Sequence, residues 1–262
     1  MARCLLLGKI PSSSLRLSKV AGPGPTIKEG DFELLENGTP DFVGVNYYYT
    51  LTYESNPLDG VSEGAFNTTG QKGTTEATGV PGLYKTARNS YLETSNWDWA
   101  IDPLGLRVGL RRITSRYRLP ILITENGLGE FDTLGPGDVI NDDYRIAYLE
   151  SHLTQCKQAL IDGVDLIGYC SWSFTDLLSW LNGYQKRYGF VYVNGDETDQ
   201  KDLRRIKKAS FYWYQHVIQT NGSSLTLEPE NWRNKGGRTP LSRVCDPSYG
   251  RGIRREKVIL RL

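Results

Sequence analysis

Apolar positions in the middle of the chain fall into two rhythms: short unbroken runs, and longer stretches repeating every three or four residues. The run DFVGVNY at 41–47 is rich in β-forming residues and ends in polar and aromatic side chains. Residues 56–82 come next, heavy in Gly and Thr and without apolar period; loops of that length are usually functional or mobile. Asp102 and Pro103 read as the N-cap and first position of a helix, whose apolar stripe is Leu106, Leu110, Ile113 and Tyr117. Pro120 ends that helix, and ILIT at 121–124 predicts a buried strand stopped by Glu125, Asn126 and Gly127. A second helix begins near Asp142, with Ile146, Leu149, Leu153, Cys156 and Leu160 on one face and Gly163 capping its end. A strand at 164–170 and a polar-aromatic loop come after it. A last helix then carries Leu203, Ile206, Ser210, Trp213 and Val217 on one face.

Strand and helix thus alternate three times. Apolar strands without alternation predict an α/β fold whose parallel sheet is buried on both faces. The C-terminal end of each strand turns polar: Asn46-Tyr47-Tyr48, Glu125-Asn126, Trp172-Ser173. In a β/α barrel that end is the active-site face. The pattern alone fits a doubly wound sheet as well.

Composition narrows the class. With 262 residues, 39% hydrophobic, 23% charged and a formal net charge of +1, the chain reads as an ordinary globular protein. That balance gives no case for nucleic acid or an acidic membrane surface. No apolar run approaches the ~20 residues of a membrane span, and the short Leu run after Arg3 falls short of an export signal. Cys4, Cys156, Cys170 and Cys245 lie far apart and read as free thiols of a reducing cytoplasm. Residues 1–25 form a basic, breaker-rich N-terminal segment. Residues 223–262 hold nine Lys/Arg against four Asp/Glu, and read as a solvated tail. The folded part is expected at 26–222.

Glu125 is the sharpest chemical signal: a carboxylate directly after a buried strand, at the mouth of a parallel sheet. An ion pair there is the plain alternative. ITENG, however, resembles the nucleophile motif of glycoside hydrolase family 1, and the likeness spreads. DFVGVNYY is similar to that family's sixth strand, and GYCSWSFTDLLSW to the eighth with its loop. KRYGFVYV and SFYWYQ are similar to the family's segments beyond that loop, the second of them to its final helix. The resemblance implies a partial (β/α)8 TIM barrel, about strands six to eight with their helices. It also implies a retaining mechanism, needing two carboxylates about 5 Å apart. Glu125 would be the nucleophile and Tyr48 its hydrogen-bond donor, holding the carboxylate ionised. Asn46 would contact the 2-OH side, and Trp172 would floor the sugar subsite. Tyr47 and Tyr49 match nothing and read as packing, Arg187 as structural. His152 and His216 read as surface or satisfied positions.

One departure matters. Family β-glucosidases carry Glu-Trp in the loop after the eighth strand, where this chain has Ser179-Trp180. A carboxylate there would repel a 6-phosphate, and a serine would donate to it. Ser179, Lys186 and Tyr188 coincide with the phosphate-binding trio of the family's 6-phospho-β-glycosidases, and Trp180 joins the substrate-binding residues. The implied partner is a small phosphorylated disaccharide or aryl-glucoside, cleaved in the cytoplasm with no cofactor and no metal.

The family's acid/base glutamate sits in an Asn-Glu-Pro motif, and the sequence contains none. The chain is therefore expected to be a C-terminal fragment, or a shortened reading frame with non-matching ends, and inactive by itself. The leading reading is 6-phospho-β-glucosidase. Its alternatives are 6-phospho-β-galactosidase, an unphosphorylated β-glucosidase, which Ser179 opposes, and a catalytically silent fragment.

Overall fold

The computed structural model describes residues 26–56, 70 and 79–225. Three parallel strands, β1 (Val43–Asn46), β5 (Ile121–Asn126) and β6 (Leu166–Ser171), form the central sheet in the order β1-β5-β6. Between β1 and β5 lies a small antiparallel sheet of β2 (Thr52–Ser55), β3 (Gly79–Val80) and β4 (Tyr84–Ala87), in the order β2-β4-β3. The stretch 56–82 expected to be one long loop therefore contains β3 and is flanked by β2 and β4. Residues 57–69 and 71–78 of it lie outside the described ones.

The helices are α1 (Asp31–Asn37), α2 (Pro103–Tyr117), α3 (Asp143–Ile161) and α4 (Ala209–Gln219). Asp102 caps α2 through an Oδ1 that accepts from the Gly105 N–H at 2.8 Å. Gly163, at φ +90°, ends α3: its N–H reaches Leu160 O, and the Val164 N–H reaches Ala159 O. The last helix begins later than its stripe suggested. Lys208 is extended, and Ile206 belongs to β8 (Arg205–Lys207), which pairs antiparallel with β7 (Val191–Val193). Ser210, Trp213 and Val217 keep the buried face. The expected boundary at 222 leaves out Leu225, which is 6% exposed and packs in the core.

That core lies between the sheet and α2, α3 and α4. It holds Leu106 and Leu110, Ile121 and Ile123, Leu149 and Leu153, and Trp213 and Val217. At ~25 cal/mol per Å² of apolar area, burial of these side chains is the main favourable contribution to folding. The sheet is not covered on both faces. Gly44, Asn46 and Thr124 are exposed and Ile167 is 46% exposed, because the helices pack on the opposite face only.

Under β1, His152 of α3 is fully buried, stacked on Tyr148 at 3.9 Å, with Nδ1 2.7 Å from Tyr148 O. Burial lowers its pKa to about 4. Between pH 6.5 and 4 the unfolded chain thus binds more protons than the folded one, so stability falls as the pH drops through that window. At pH 4 the loss should reach about 3 kcal/mol. Urea unfolding at pH 7 and pH 4 should show that part of the acid sensitivity removed in His152→Gln.

Candidate active site

The mouth of the sheet is assembled by one asparagine. β5 runs through Glu125 and Asn126 rather than stopping before them. Asn126 is fully buried, and its amide ties three elements together. Nδ2 donates to Tyr47 O at 2.6 Å and to Tyr148 Oη at 3.0 Å, while Oδ1 accepts from Tyr169 Oη at 2.6 Å. Tyr148 Oη in turn donates to Tyr48 O at 2.9 Å. Segments after β1, from β6 and from α3 are thereby locked around the residue next to Glu125. Gly127 completes the motif by close approach: a Cβ there would lie 1.8 Å from Trp172 O.

Glu125 is half-buried, and its Oε2 accepts from Tyr48 Oη at 2.6 Å. Burial, then this bond, raises the Tyr48 pKa far above the usual tyrosine range, so the phenol stays a donor. Asn46 sits in register with Glu125, its Oδ1 accepting from Thr124 Oγ1 at 2.5 Å. Trp172 comes directly after β6 and donates its N–H to Asn126 O at 2.8 Å; the Trp172–Ser173 peptide bond is cis. Tyr47 turns to packing, with its hydroxyl 2.7 Å from both Thr50 Oγ1 and Asp102 O.

Tyr188 gathers the second group. Burial raises its pKa, opposed by a hydrogen bond with Ser179. Lys186 places its ammonium 5.7 Å from the Tyr188 ring centroid. Lys186 is 2% exposed, and that burial lowers its pKa to about 7, with Glu130 pulling the other way. Trp180 stands apart, 96% exposed. Arg187, which points away, holds Asp176 at 3.0 Å, Val193 O at 2.9 Å and Gly195 O at 2.7 Å.

Sequence reasoning missed the wall between the two groups. Trp99 meets Tyr48 at 5.5 Å, Tyr49 at 4.9 Å and Tyr188 at 6.3 Å between ring centroids, and lies 3.5 Å from the Lys186 ammonium. The signal for it in the sequence is the aromatic pair in NWDWAIDP, just ahead of the α2 cap.

The sequence matches the Glycosyl hydrolase family 1 profile over residues 1–223, which takes in the segment 1–25 set apart above. It is 70% identical over 218 residues to the aryl-phospho-beta-D-glucosidase BglC of Bacillus subtilis (strain 168), covering 83% of this chain and 46% of that one. It is 38% identical over 219 residues to the 6-phospho-beta-glucosidase AscB of Escherichia coli (strain K12), covering 83% and 43%. The fold is similar to that of the family 1 β-glucosidase from Thermotoga maritima, with TM-score 0.65, 28% identity and coverage of 84% and 43%. The chain belongs to glycosyl hydrolase family 1.

Its three parallel strands and their helices are accordingly part of a family 1 β/α barrel, and the chain spans less than half the length of these relatives. The uncovered sheet face is the inner face of such a barrel, where facing strands would fill the interior with side chains. No described helix is long and apolar enough to cross a membrane.

The role of Gly127 is testable by substitution. Gly127→Ala should destabilise the chain by about 1–3 kcal/mol and shift its tryptophan emission, since the new methyl must push the Trp172 carbonyl aside. Gly109→Ala, inside α2 with open space around it, should instead stabilise by about 0.4–1 kcal/mol. Denaturant midpoints of the two variants check both signs.

Proposed function

We propose that this chain supplies the nucleophile side and phosphate subsite of a retaining glycosidase that hydrolyses 6-phospho-β-D-glucosides in the cytoplasm. The observation that carries the reading is the contact chain from Glu125 through Tyr48 and Trp99 to Lys186 and Tyr188. It sets a phosphate-sized group of donors beside a poised carboxylate. Ser179, at the position where unphosphorylated relatives would hold a glutamate, supports the phosphorylated substrate. So does the activity for which the 70% identical relative is named.

The chemistry grows out of the geometry. The Tyr48 phenol donates to one oxygen of Glu125 and leaves the other for attack on the anomeric carbon, forming a glycosyl ester as the leaving oxygen departs. A second carboxylate about 5 Å away must protonate that oxygen and later activate water. With no Asn-Glu-Pro in the sequence, that role has no assigned residue in this chain. Trp172 offers an aromatic face to the apolar side of the pyranose, and Asn46, in register with Glu125, contacts its 2-OH. Trp180, free in solvent, is available to close over a bound sugar. A phosphate dianion at Ser179, Lys186 and Tyr188 favours the charged lysine, so a pKa near 7 in the empty site rises on binding.

In a chain extended to the full length of its relatives, Glu125→Gln should lower kcat by several orders of magnitude with substrate binding retained. Lys186→Ala should raise KM for 4-nitrophenyl 6-phospho-β-glucoside but not for the unphosphorylated glycoside, by the ~1.5–3 kcal/mol of a charged hydrogen bond. KM for the phosphorylated substrate should climb above pH 7 as Lys186 loses its proton. A Lys186→Ala enzyme that kept its preference for the phosphorylated substrate would overturn the phosphate assignment. Residues 1–262 alone should give no turnover.

A further inference from the structure

Lys186 has an unusual setting for a cation. Among the described residues it forms no ion pair, and it is almost shut off from water. Indoles replace its hydration: the ammonium lies 3.5 Å from the Trp99 centroid and 5.1 Å from that of Trp97. Its stem runs over Gly129, where a Cβ would come within 2.7 Å of Lys186 Cγ and 2.8 Å of Cε. Such a cage works only if the segment bearing the indoles and the segment bearing the lysine are held at a fixed separation.

Glu130 supplies that hold from between them. Its backbone pairs with the residue after Lys186 in both directions: its N–H donates to Arg187 O at 3.0 Å, and its carbonyl accepts from the Arg187 N–H at 2.9 Å. Its side chain grips the other segment, with Oε1 accepting from the Asn96 backbone N–H at 2.7 Å and Oε2 from Asn96 Nδ2 at 2.8 Å. Asn96 lies beside Trp97, and the backbone N–H groups of Trp97 and Trp99 both donate to Ser95 Oγ. Residues 94–100 thus form a tight loop that Glu130 anchors at one point. Glu130 is 7% exposed, and a carboxylate so buried is costly unless charge and hydrogen bonds compensate. Asn96 supplies the hydrogen bonds, and the field of the nearby Lys186 supplies the opposite charge. Among the described residues, the titratable groups facing Lys186 are Glu130, from the segment after β5, and Tyr188, from its own segment. The 94–100 loop faces it with indoles.

We propose that Glu130 is the positioning residue of the phosphate subsite: by clamping the 94–100 loop to the Lys186 segment, it closes the indole cage that presents the ammonium to a sugar phosphate. The phosphate half of this statement rests on the reading of Lys186 given above. The cage half stands on the contacts alone.

The test uses the 262-residue chain labelled with 13Cε-lysine, with the Lys186 signal assigned by its loss in Lys186→Met. In the unmodified chain, ring currents from Trp99 and Trp97 should displace the Lys186 Hε protons upfield of the other lysines. Glu130→Ala should return them to the ordinary lysine position, and the concentration of D-glucose 6-phosphate that half-saturates the Lys186 shift should rise roughly tenfold. Glu130→Gln, which can still accept from the Asn96 N–H, should keep the upfield position while Lys186 titrates at lower pH than in the unmodified chain. A residue that merely supported the local fold would not move that titration. The methyl signals of Ile121 and Ile123 report that β5 is intact in both variants. If Glu130→Ala kept the upfield displacement, or Glu130→Gln left the titration in place, the positioning role would be wrong. If D-glucose 6-phosphate failed to move Lys186 in the unmodified chain while Glu130→Ala still released the cage, the phosphate reading would fall and the role of Glu130 in holding Lys186 would stand.

Discussion

A buried ionic cluster fixes the relation between the sheet and the loops at its mouth. Lys208 Nζ reaches Asp132 at 2.5 Å and Asp176 at 2.7 Å; Arg145 reaches Asp142 at 2.9 Å and Asp132 at 3.2 Å; Arg187 reaches Asp176 at 3.0 Å. Three cations thus face three carboxylates, all beneath the surface. Arg145 also satisfies backbone carbonyls, donating to Leu128 O, Tyr188 O and Arg187 O. Isolated buried charges would be prohibitively expensive, and removal of one partner from such a pair typically costs ~3–5 kcal/mol. The cluster therefore behaves as a unit. It ties the loop after β5, the start of α3, the loop after β6 and the start of α4 into one geometry.

The elements around the Lys186–Tyr188 segment hang from that unit. Asp142, rather than capping its own helix, accepts from Ser210 N at 2.8 Å and from Ser210 Oγ, and so pins α4 to α3. Lys208, the residue before α4, is drawn inward by Asp132 and Asp176, which is why the chain is extended there and the helix starts late. Because Arg145 grips the carbonyls of Arg187 and Tyr188, the segment that presents Lys186 and Tyr188 is set from beneath. Asn126 does the corresponding work on the other side, through Tyr47, Tyr148 and Tyr169. Glu125 and the Lys186–Tyr188 segment are thus placed by two separate polar locks, joined by Trp99.

This division of labour accounts for the character of the site. Its candidate groups Glu125 and Lys186 take their positions from neighbours one residue away, Asn126 and Arg187. Preorganisation of that kind avoids reorganisation cost when charge develops on a substrate. It also leaves the inner sheet face, with Asn46 and Thr124, open on the side where a closed barrel would bring its other strands.

The sequence alone determined the alternation of strand and helix, the capped start of α2, the end of α3 at Gly163 and the stripe of buried residues on α3. Each is a local matter, set by propensity, capping and a period that survives without knowledge of the neighbours. It also singled out Glu125, through its place after ILIT and the resemblance of ITENG to a family motif, and Ser179, through its departure from the family's pattern. Only the tertiary structure decided the rest. Ile206 left its expected helix because β7 was there to pair with β8 and because Asp132 and Asp176 pull Lys208 inward. The sheet kept one bare face because only the helix side has partners. Trp97, Trp99 and Glu130 carried no periodic signal, being brought to Lys186 by long-range hydrogen bonds between loops that the order of residues does not specify. Local chemistry is written in neighbours along the chain, whereas the field around a buried lysine depends on which distant segments fold against it.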